Sequence, residues 1–336
     1  MRRRTALSLV FTLPYVSRAW AQADPLAAVL ARAAGLAPLK AVLVARNGET
    51  VASRGYHGHA VTAPTNIKSA SKSVVSALAG IAIETGVFPG VDQTIAPLFK
   101  DDLPPKPDPR LAQITIGHLL SMQAGLARTS GVNYGRWVAS PNWVRAALAQ
   151  PFEEEPGGFM QYSTGSTHLL SALLTRLSGR STLALAREWL GPVDGFAIVS
   201  WDKDPQGIYF GGNQMAMSAV SLLAFGELYR NAGRTRAGKQ IVSPAWIAAS
   251  WQPRTNSKFT GDAYGYGWFL RDMGGHEVRY GWGFGGQMLY IVPSLGLTVA
   301  MTSDDRAQTG QTQGRHRDDL HQLMTEIIEI ESARRT

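Results

Sequence analysis

Ser69 and Lys72 stand three residues apart in the run Ser69-Ala70-Ser71-Lys72. Behind them Val74, Ala77, Leu78, Ile81 and Ala82 repeat at helical spacing. On a helix, positions i and i+3 share a face, so this lysine can reach the serine hydroxyl. The amides of a first helical turn lack helical partners and carry the positive end of the helix dipole. That field and burial both disfavour an ammonium, which lowers the lysine pKa towards that of a usable base. The same amides can steady an oxyanion. The chemistry such a pair performs is attack by a serine on a carbonyl, with no metal and no cofactor.

The pattern is short and occurs twice. Ser200-Trp201-Asp202-Lys203 has the same spacing, but it runs through Asp204-Pro205-Gln206-Gly207, a turn with no apolar helix behind it. A capping serine and a solvated lysine account for that copy. His57-Gly58-His59 offers two imidazoles without a third ligand nearby, and reads as a solvated loop. His118 and His168 fall on expected helices and read as packed or surface residues. No Gly-x-Ser-x-Gly elbow occurs, so a triad of that kind lacks support. The absence of cysteine excludes disulfides, a thiol nucleophile, thiolate zinc sites and a lipid-modified cysteine.

Local signals lay out the elements that must position Ser69. Pro25 to Ala34 is a short helix, and Leu39 to Ala45 and Thr50 to Tyr56 flank Asn47-Gly48, a hairpin signal. The helix starting near Ser69 stops at Gly86. From Val87 to Ser250 helices dominate, clearest at Thr115 to Met122, Asn142 to Leu148, Thr167 to Leu177 and Met217 to Ala232. Short strands follow at Tyr266 to Arg271, Glu277 to Tyr280, Gln287 to Val292 and Leu297 to Thr302, with turns at Gly274-Gly275 and Pro293 to Gly296. A last helix covers Arg317 to Ala333.

Strands at both ends with helices between them predict an α+β fold. Its antiparallel sheet is flanked by the terminal helices and carries an inserted all-helical lobe, with a cleft between the lobes. Residues 24–86 and 260–334 make the sheet lobe and 87–259 the helical lobe of one catalytic domain. Trp137, Trp143, Trp201, Trp268 and Trp282 are enough to line an apolar cleft, although a core role explains most of them. Glu153-Glu154-Glu155 reads as a solvated turn.

The chain has 336 residues, 45% hydrophobic and 17% charged, a composition of ordinary globular proteins. Residues 1–21 look like a signal peptide: Arg2 to Arg4, an apolar stretch from Thr5 to Val16, then Ala19-Trp20-Ala21 as the cleavage pattern. A periplasmic or secreted protein is expected, by the general or the twin-arginine route. Removing that segment lowers the formal charge from +8 to +4, because it holds four arginines and no acid. No basic stripe interleaved with aromatics remains to bind nucleic acid. No segment offers about 18 unbroken apolar residues for membrane insertion.

Beyond Ser69 the chain carries further ordered motifs: Val42 to Gly48, Gly80-Ile81-Ala82, Ile116 to Leu126, Glu155-Pro156-Gly157-Gly158, Tyr162-Ser163-Thr164 and Gly179. In this order, over roughly residues 40 to 305, it resembles the serine β-lactamase and penicillin-binding-protein-like superfamily. Within it, the chain is most similar to the branch related to class C β-lactamases. That branch includes family VIII esterases, D-amino-acid amidases and peptidases, and hydrolases of aminohexanoate oligomers. The resemblance implies a β-lactamase/transpeptidase-like fold, Ser69 as nucleophile with Lys72, and Tyr162 as general base beside the lysine.

Where the superfamily has Tyr-x-Asn, Thr164 replaces the asparagine; a literal Tyr229-Arg230-Asn231 reads as a helix terminus. The strand motif Lys-Thr-Gly, or His-Thr-Gly, falls on Gly281-Trp282-Gly283, so its cation is missing. By this matching Thr164, Gly281, Trp282 and Gly283 contact substrate, and the backbone amides of Ser69 and Phe284 form the oxyanion site. Loss of the cation argues for a neutral ester or amide over a β-lactam. The leading expectation is an acyl-enzyme hydrolase of a small-molecule ester or amide. The alternatives are a β-lactamase or D,D-peptidase, and a catalytically silent sensor or scaffold. Acyl group, leaving group and oligomeric state stay open.

Overall fold

The computed structural model describes residues 24–304, 306 and 310–335; the expected signal peptide lies outside them. Helix α1 (Pro25–Arg32) begins with proline at its first position and Asp24 as cap, whose Oδ1 accepts the Leu26 amide at 3.1 Å. Strands β1 (Leu39–Arg46) and β2 (Glu49–Gly55) follow. Asn47 and Gly48 join them at φ 51° and 91°, the two positive values that a tight hairpin matching the strand twist requires. After β3 (Pro64–Asn66), a single 3₁₀ turn over Lys68–Ala70 leads into α2 (Ser71–Glu84). Gly86, at φ 76°, takes the chain out of that helix.

The middle of the chain is mostly helical, with α3 (Ile116–Leu120), α4 (Tyr134–Val138), α5 (Trp143–Leu148), α6 (Thr164–Ser178) and α7 (Thr182–Trp189). Then come β4 (Ser200–Trp201), β5 (Met215–Ser218), α8 (Ala219–Arg230), α9 (Pro244–Ser250) and the short strands β6 (Thr255–Asn256) and β7 (Ala263–Tyr264). Strands β8 (Phe269–Met273), β9 (His276–Gly283), β10 (Gln287–Val292) and β11 (Leu297–Ser303) precede α10 (Gly310–Ala333). Eight strands form one antiparallel sheet in the order β2-β1-β11-β10-β9-β8-β7-β6. The first strands thus pair with the last, Val44 opposite Val299.

Period-two alternation sorts the inner strands onto two cores. Leu43, Leu289 and Ala300 pack on one face with α2 and α8, whereas Val42, Val44, Tyr290 and Val299 pack on the other with α1 and α10. A sheet covered on both sides buries both faces of its inner strands, and every residue of β10 and β11 is buried. Helix α8 lies close on the sheet because Gly226 has no side chain: a Cβ there would stand 2.6 Å from both Leu289 and Thr298. Helix α2 is buried from Ser71 through Ala82, on every face. Its expected stripe is therefore only part of the contact, and a helix enclosed all round holds its residues rigidly.

The mixed fold matches the expectation from sequence, with local differences. Met217, expected in a helix, lies in β5, and Ser218 caps α8 by accepting the Ser221 amide at 3.1 Å. The inserted segment is also not all helix, since β4 and β5 pair with β3 in a second, three-stranded sheet. Tyr266 to Trp268 precede β8 and do not extend it: Ser73 Oγ and Ser76 Oγ donate to the Gly267 and Tyr266 carbonyls at 2.7 and 2.6 Å, drawing that segment onto α2. The second Ser-x-x-Lys copy begins with β4, and its Lys203 pairs with Tyr209 in an isolated bridge; Tyr229 lies in the last turn of α8, whose C-cap is Asn231. Among the described residues no helix is long and apolar enough to cross a membrane.

Candidate active site

Ser69 sits in the 3₁₀ turn that opens α2, partly open to solvent and followed by the buried Ala70. The turn is held by its polar groups. Lys68 takes a left-handed φ of 50°, its amide donates to Asn66 Oδ1 at 3.0 Å, and Ser71 Oγ donates to its carbonyl at 2.7 Å. Strand β9 lies directly against this turn. A Cβ on Gly283 would stand 2.1 Å from the Ile67 carbonyl oxygen, and one on Gly281 would stand 3.0 Å from Ser73 Oγ. Glycine at both positions lets the strand approach the turn to backbone contact. The two residues between and after them, Trp282 and Phe284, line the cavity in front of Ser69.

Lys72 is 2% exposed. Its Nζ lies 3.0 Å from Ser69 Oγ, 2.8 Å from the Gly212 carbonyl oxygen and 3.3 Å from Thr164 Oγ1. Burial pulls its pKa from the usual lysine value down to about 7. The three partners suit both protonation states. An ammonium donates to all three, whereas a neutral amine can give its two hydrogens to Gly212 and Thr164 and keep its lone pair for the Ser69 proton. Gly212 reaches the lysine only as glycine: at φ 80°, a Cβ there would lie 2.8 Å from Lys72 Cγ.

Tyr162 meets the same serine. Burial pushes its pKa well up from the ordinary phenol value, and a hydrogen bond with Ser69 opposes that only in part. It is a phenol at neutral pH, able to give or relay a proton. The Lys72 ammonium position lies 5.2 Å from its ring centroid. Its segment is fixed by Met122, at φ 63°, whose carbonyl accepts the Gln161 amide at 2.8 Å. The Tyr162 ring stacks on Phe269, centroids 6.0 Å apart. Lys68, Met122 and Gln214 are all non-glycine residues with positive φ around this site, a concentration of local strain typical of a functional region.

Thr164, where asparagine stands in the superfamily motif, begins α6. Its amide donates to Ser130 Oγ at 2.9 Å, its Oγ1 shares a 2.9 Å bond with the same oxygen, and that Oγ1 also meets Lys72. The hydroxyls of Ser130 and Thr164 therefore extend the polar chain from Ser69 through Lys72. Sequence reasoning did not find Ser130, Gly212 or Arg128. The Gly211-Gly212 pair was the one readable signal of close backbone approach.

Ser69, Tyr162, Thr164, Trp282 and Phe284 all line one cavity of about 650 Å³, whereas Gly281 and Gly283 stand behind its wall. Its mouth is apolar: Val132, Phe259 and Phe284 line it and are exposed to 88%, 54% and 43%. Of the five tryptophans considered for such a cleft, Trp282 lines it, and Trp137, Trp143, Trp201 and Trp268 are core. His57 lies exposed near Leu36 and His59 near Thr65. Among the described residues no group of three or more His, Cys, Asp or Glu side chains is placed to hold a metal ion. His118 closes the capping box of α3 with Thr115.

The family model described as Beta-lactamase matches residues 30–323. Among solved structures, EstCE1, a hydrolase with promiscuous acyltransferase activity, superposes with a TM-score of 0.71 at 19% identity, covering 90% of this chain and 98% of its own. The D-amino acid amidase of Ochrobactrum anthropi SV3 gives 0.70 at 13% identity, over 93% of this chain and 99% of its own. A class C beta lactamase from Rhodobacter sphaeroides gives 0.66 at 16% identity, over 91% and 100%. A search of the curated proteins finds no match. At these identities the solved structures establish a common fold.

Proposed function

Since this chain belongs to the beta-lactamase family, a family of hydrolases, we propose that it is a serine hydrolase that cleaves a carboxylic ester or amide through an acyl-enzyme on Ser69. One observation carries the reading: a buried lysine, with its pKa drawn to about 7, lies 3.0 Å from a solvent-accessible serine hydroxyl at a helix start. A neutral Lys72 takes the Ser69 proton as Oγ attacks the carbonyl carbon. The oxygen anion that develops is met by the amides of Ser69 and Phe284. Tyr162, a phenol, gives its proton to the departing alkoxide or amine and recovers one from the Lys72 ammonium. Water then opens the acyl-enzyme by the reverse relay, releasing the acid. Thr164 keeps Lys72 aimed at Ser69. Gly281 leaves the strand without the cation that holds a β-lactam carboxylate in the superfamily, which favours esters and amides over β-lactams.

Labelling with a fluorophosphonate probe and turnover of 4-nitrophenyl esters, amides and nitrocefin by wild type and Ser69→Ala test this. We expect labelling at Ser69, ester or amide turnover at least 10³-fold lower in Ser69→Ala, and nitrocefin turnover far below that of the esters. Full ester turnover in Ser69→Ala would sink the reading, and nitrocefin as the best substrate would replace it with a β-lactamase.

A further inference from the structure

The missing strand cation does not leave the cavity without positive charge. Arg128 lines it together with Ser69, launched from the loop that follows α3. That loop is rigid around it. Ala127 donates its amide to Pro151 at 2.7 Å, Asn133 Nδ2 donates to the Arg128 carbonyl at 3.1 Å, and Thr129, 1% exposed, bonds to Ser163 and Gly165. The guanidinium carbon lies 5.1 Å from the Phe259 ring centroid and 3.7 Å from where a Cβ on Gly131 would be. An aromatic face and a glycine thus orient the group without neutralising it.

No carboxylate does so either, among the described residues. The lining of the cavity includes no Asp or Glu, and two of the three acids on the neighbouring 153–158 turn are already paired, Glu154 with Lys258 and Glu155 with Arg110. A half-buried guanidinium with five donors, set in a mostly apolar cavity with Lys68, hydroxyls and amides, is a receptor for a planar anion. Asn213 and Gln214, which also line the cavity, can donate but carry no charge; Lys68 is the second cation of the lining, and its compact ammonium lacks the planar fork that matches a carboxylate.

We propose that Arg128 binds a carboxylate of the substrate, so that the preferred ester or amide carries an anionic group remote from its scissile carbonyl. This rests on the acyl-enzyme reading of Ser69 and reverses the expectation of a neutral substrate drawn from Gly281. The carboxylate pairs with Arg128, the apolar chain between it and the carbonyl lies along Phe259 and Trp282, and the carbonyl reaches Ser69.

Mono-4-nitrophenyl glutarate and 4-nitrophenyl pentanoate have acyl chains of equal length and differ in the terminal carboxylate. Wild type is expected to prefer the glutarate in kcat/KM. Arg128→Met should lower the glutarate-to-pentanoate ratio by about tenfold or more, the loss of one charge-assisted contact, and Arg128→Lys should recover part of it. Independently of turnover, calorimetry of glutaramate on Ser69→Ala against Ser69→Ala/Arg128→Met reads the same contact, with affinity about tenfold lower in the double variant. An unchanged ratio and unchanged glutaramate affinity overturn the assignment. A failure of Ser69 to take the fluorophosphonate overturns the hydrolase reading instead, and leaves the calorimetry to decide on Arg128.

Discussion

His168 Nε2 lies 3.0 Å from Asp204 Oδ2, and neither side chain is accessible to solvent. The other ring nitrogen, Nδ1, accepts the Gly211 amide at 3.3 Å, so the ring proton belongs on Nε2, facing the carboxylate. Asp204 Oδ1 in turn accepts the amides of Gln206 and Ile208, each at 2.8 Å. The pair therefore ties helix α6 to the loop that ends in Gly212, whose carbonyl bonds Lys72. A buried neutral histidine, its pKa lowered by desolvation, acts here as a clamp.

His168→Ala should loosen that loop and withdraw the Gly212 carbonyl from Lys72. We expect kcat to fall roughly 10–100-fold, the usual scale for a displaced catalytic partner. The acidic limb of kcat/KM should also move to lower pH, because a carbonyl favours the ammonium and its loss favours the amine. A variant that merely melts earlier, with kcat and the limb unmoved, would contradict the clamp.

The pH dependence of the wild type follows from Lys72. Its pKa is depressed to about 7, so the neutral base accumulates as pH rises through that value. Tyr162 is shifted the other way and stays a phenol. For ester turnover, kcat/KM should rise between pH 6 and 8 with a midpoint about 7, then stay level to pH 9. A limb centred above pH 9 would mean that the lysine is not the base.

How far the sequence revealed this site depended on whether each signal was local. The Asn47-Gly48 hairpin, the Gly86 stop and the Ser69–Lys72 spacing are fixed by backbone preferences within a few residues, and the structure contains the turns and helix they imply. Met215–Ser218 was not legible, because four residues of mixed apolar and small character suit a strand or a helix equally, and pairing with Thr65 decides it. Tyr266 to Trp268 has strand-like composition, but two serines on α2 take its carbonyls. Gly212, Ser130 and Arg128 reach the site by tertiary closure from far along the chain, and of the three only Gly212 is marked locally, by the glycine beside it. Tyr162 has no local signature either, and only its place in an ordered series of motifs singled it out.

Burying a lysine amine also sets the folding equilibrium. In the unfolded chain Lys72 titrates near 10.5, in the folded protein near 7. Below pH 7 the native state therefore bears the full penalty of an enclosed ammonium. Between 7 and 10.5 the unfolded chain holds the extra proton, so native stability climbs with pH until the penalty vanishes. Lys72→Met should consequently melt at a higher temperature than wild type at pH 7, by a free energy on the order of a few kcal/mol, less the cost of leaving Gly212 without its donor. The gain should shrink towards pH 9.5, and thermal melts at the two pH values check it: a variant that melts lower at both would refute the linkage. On this account the enzyme is held below its own stability optimum by the residue that makes its serine reactive.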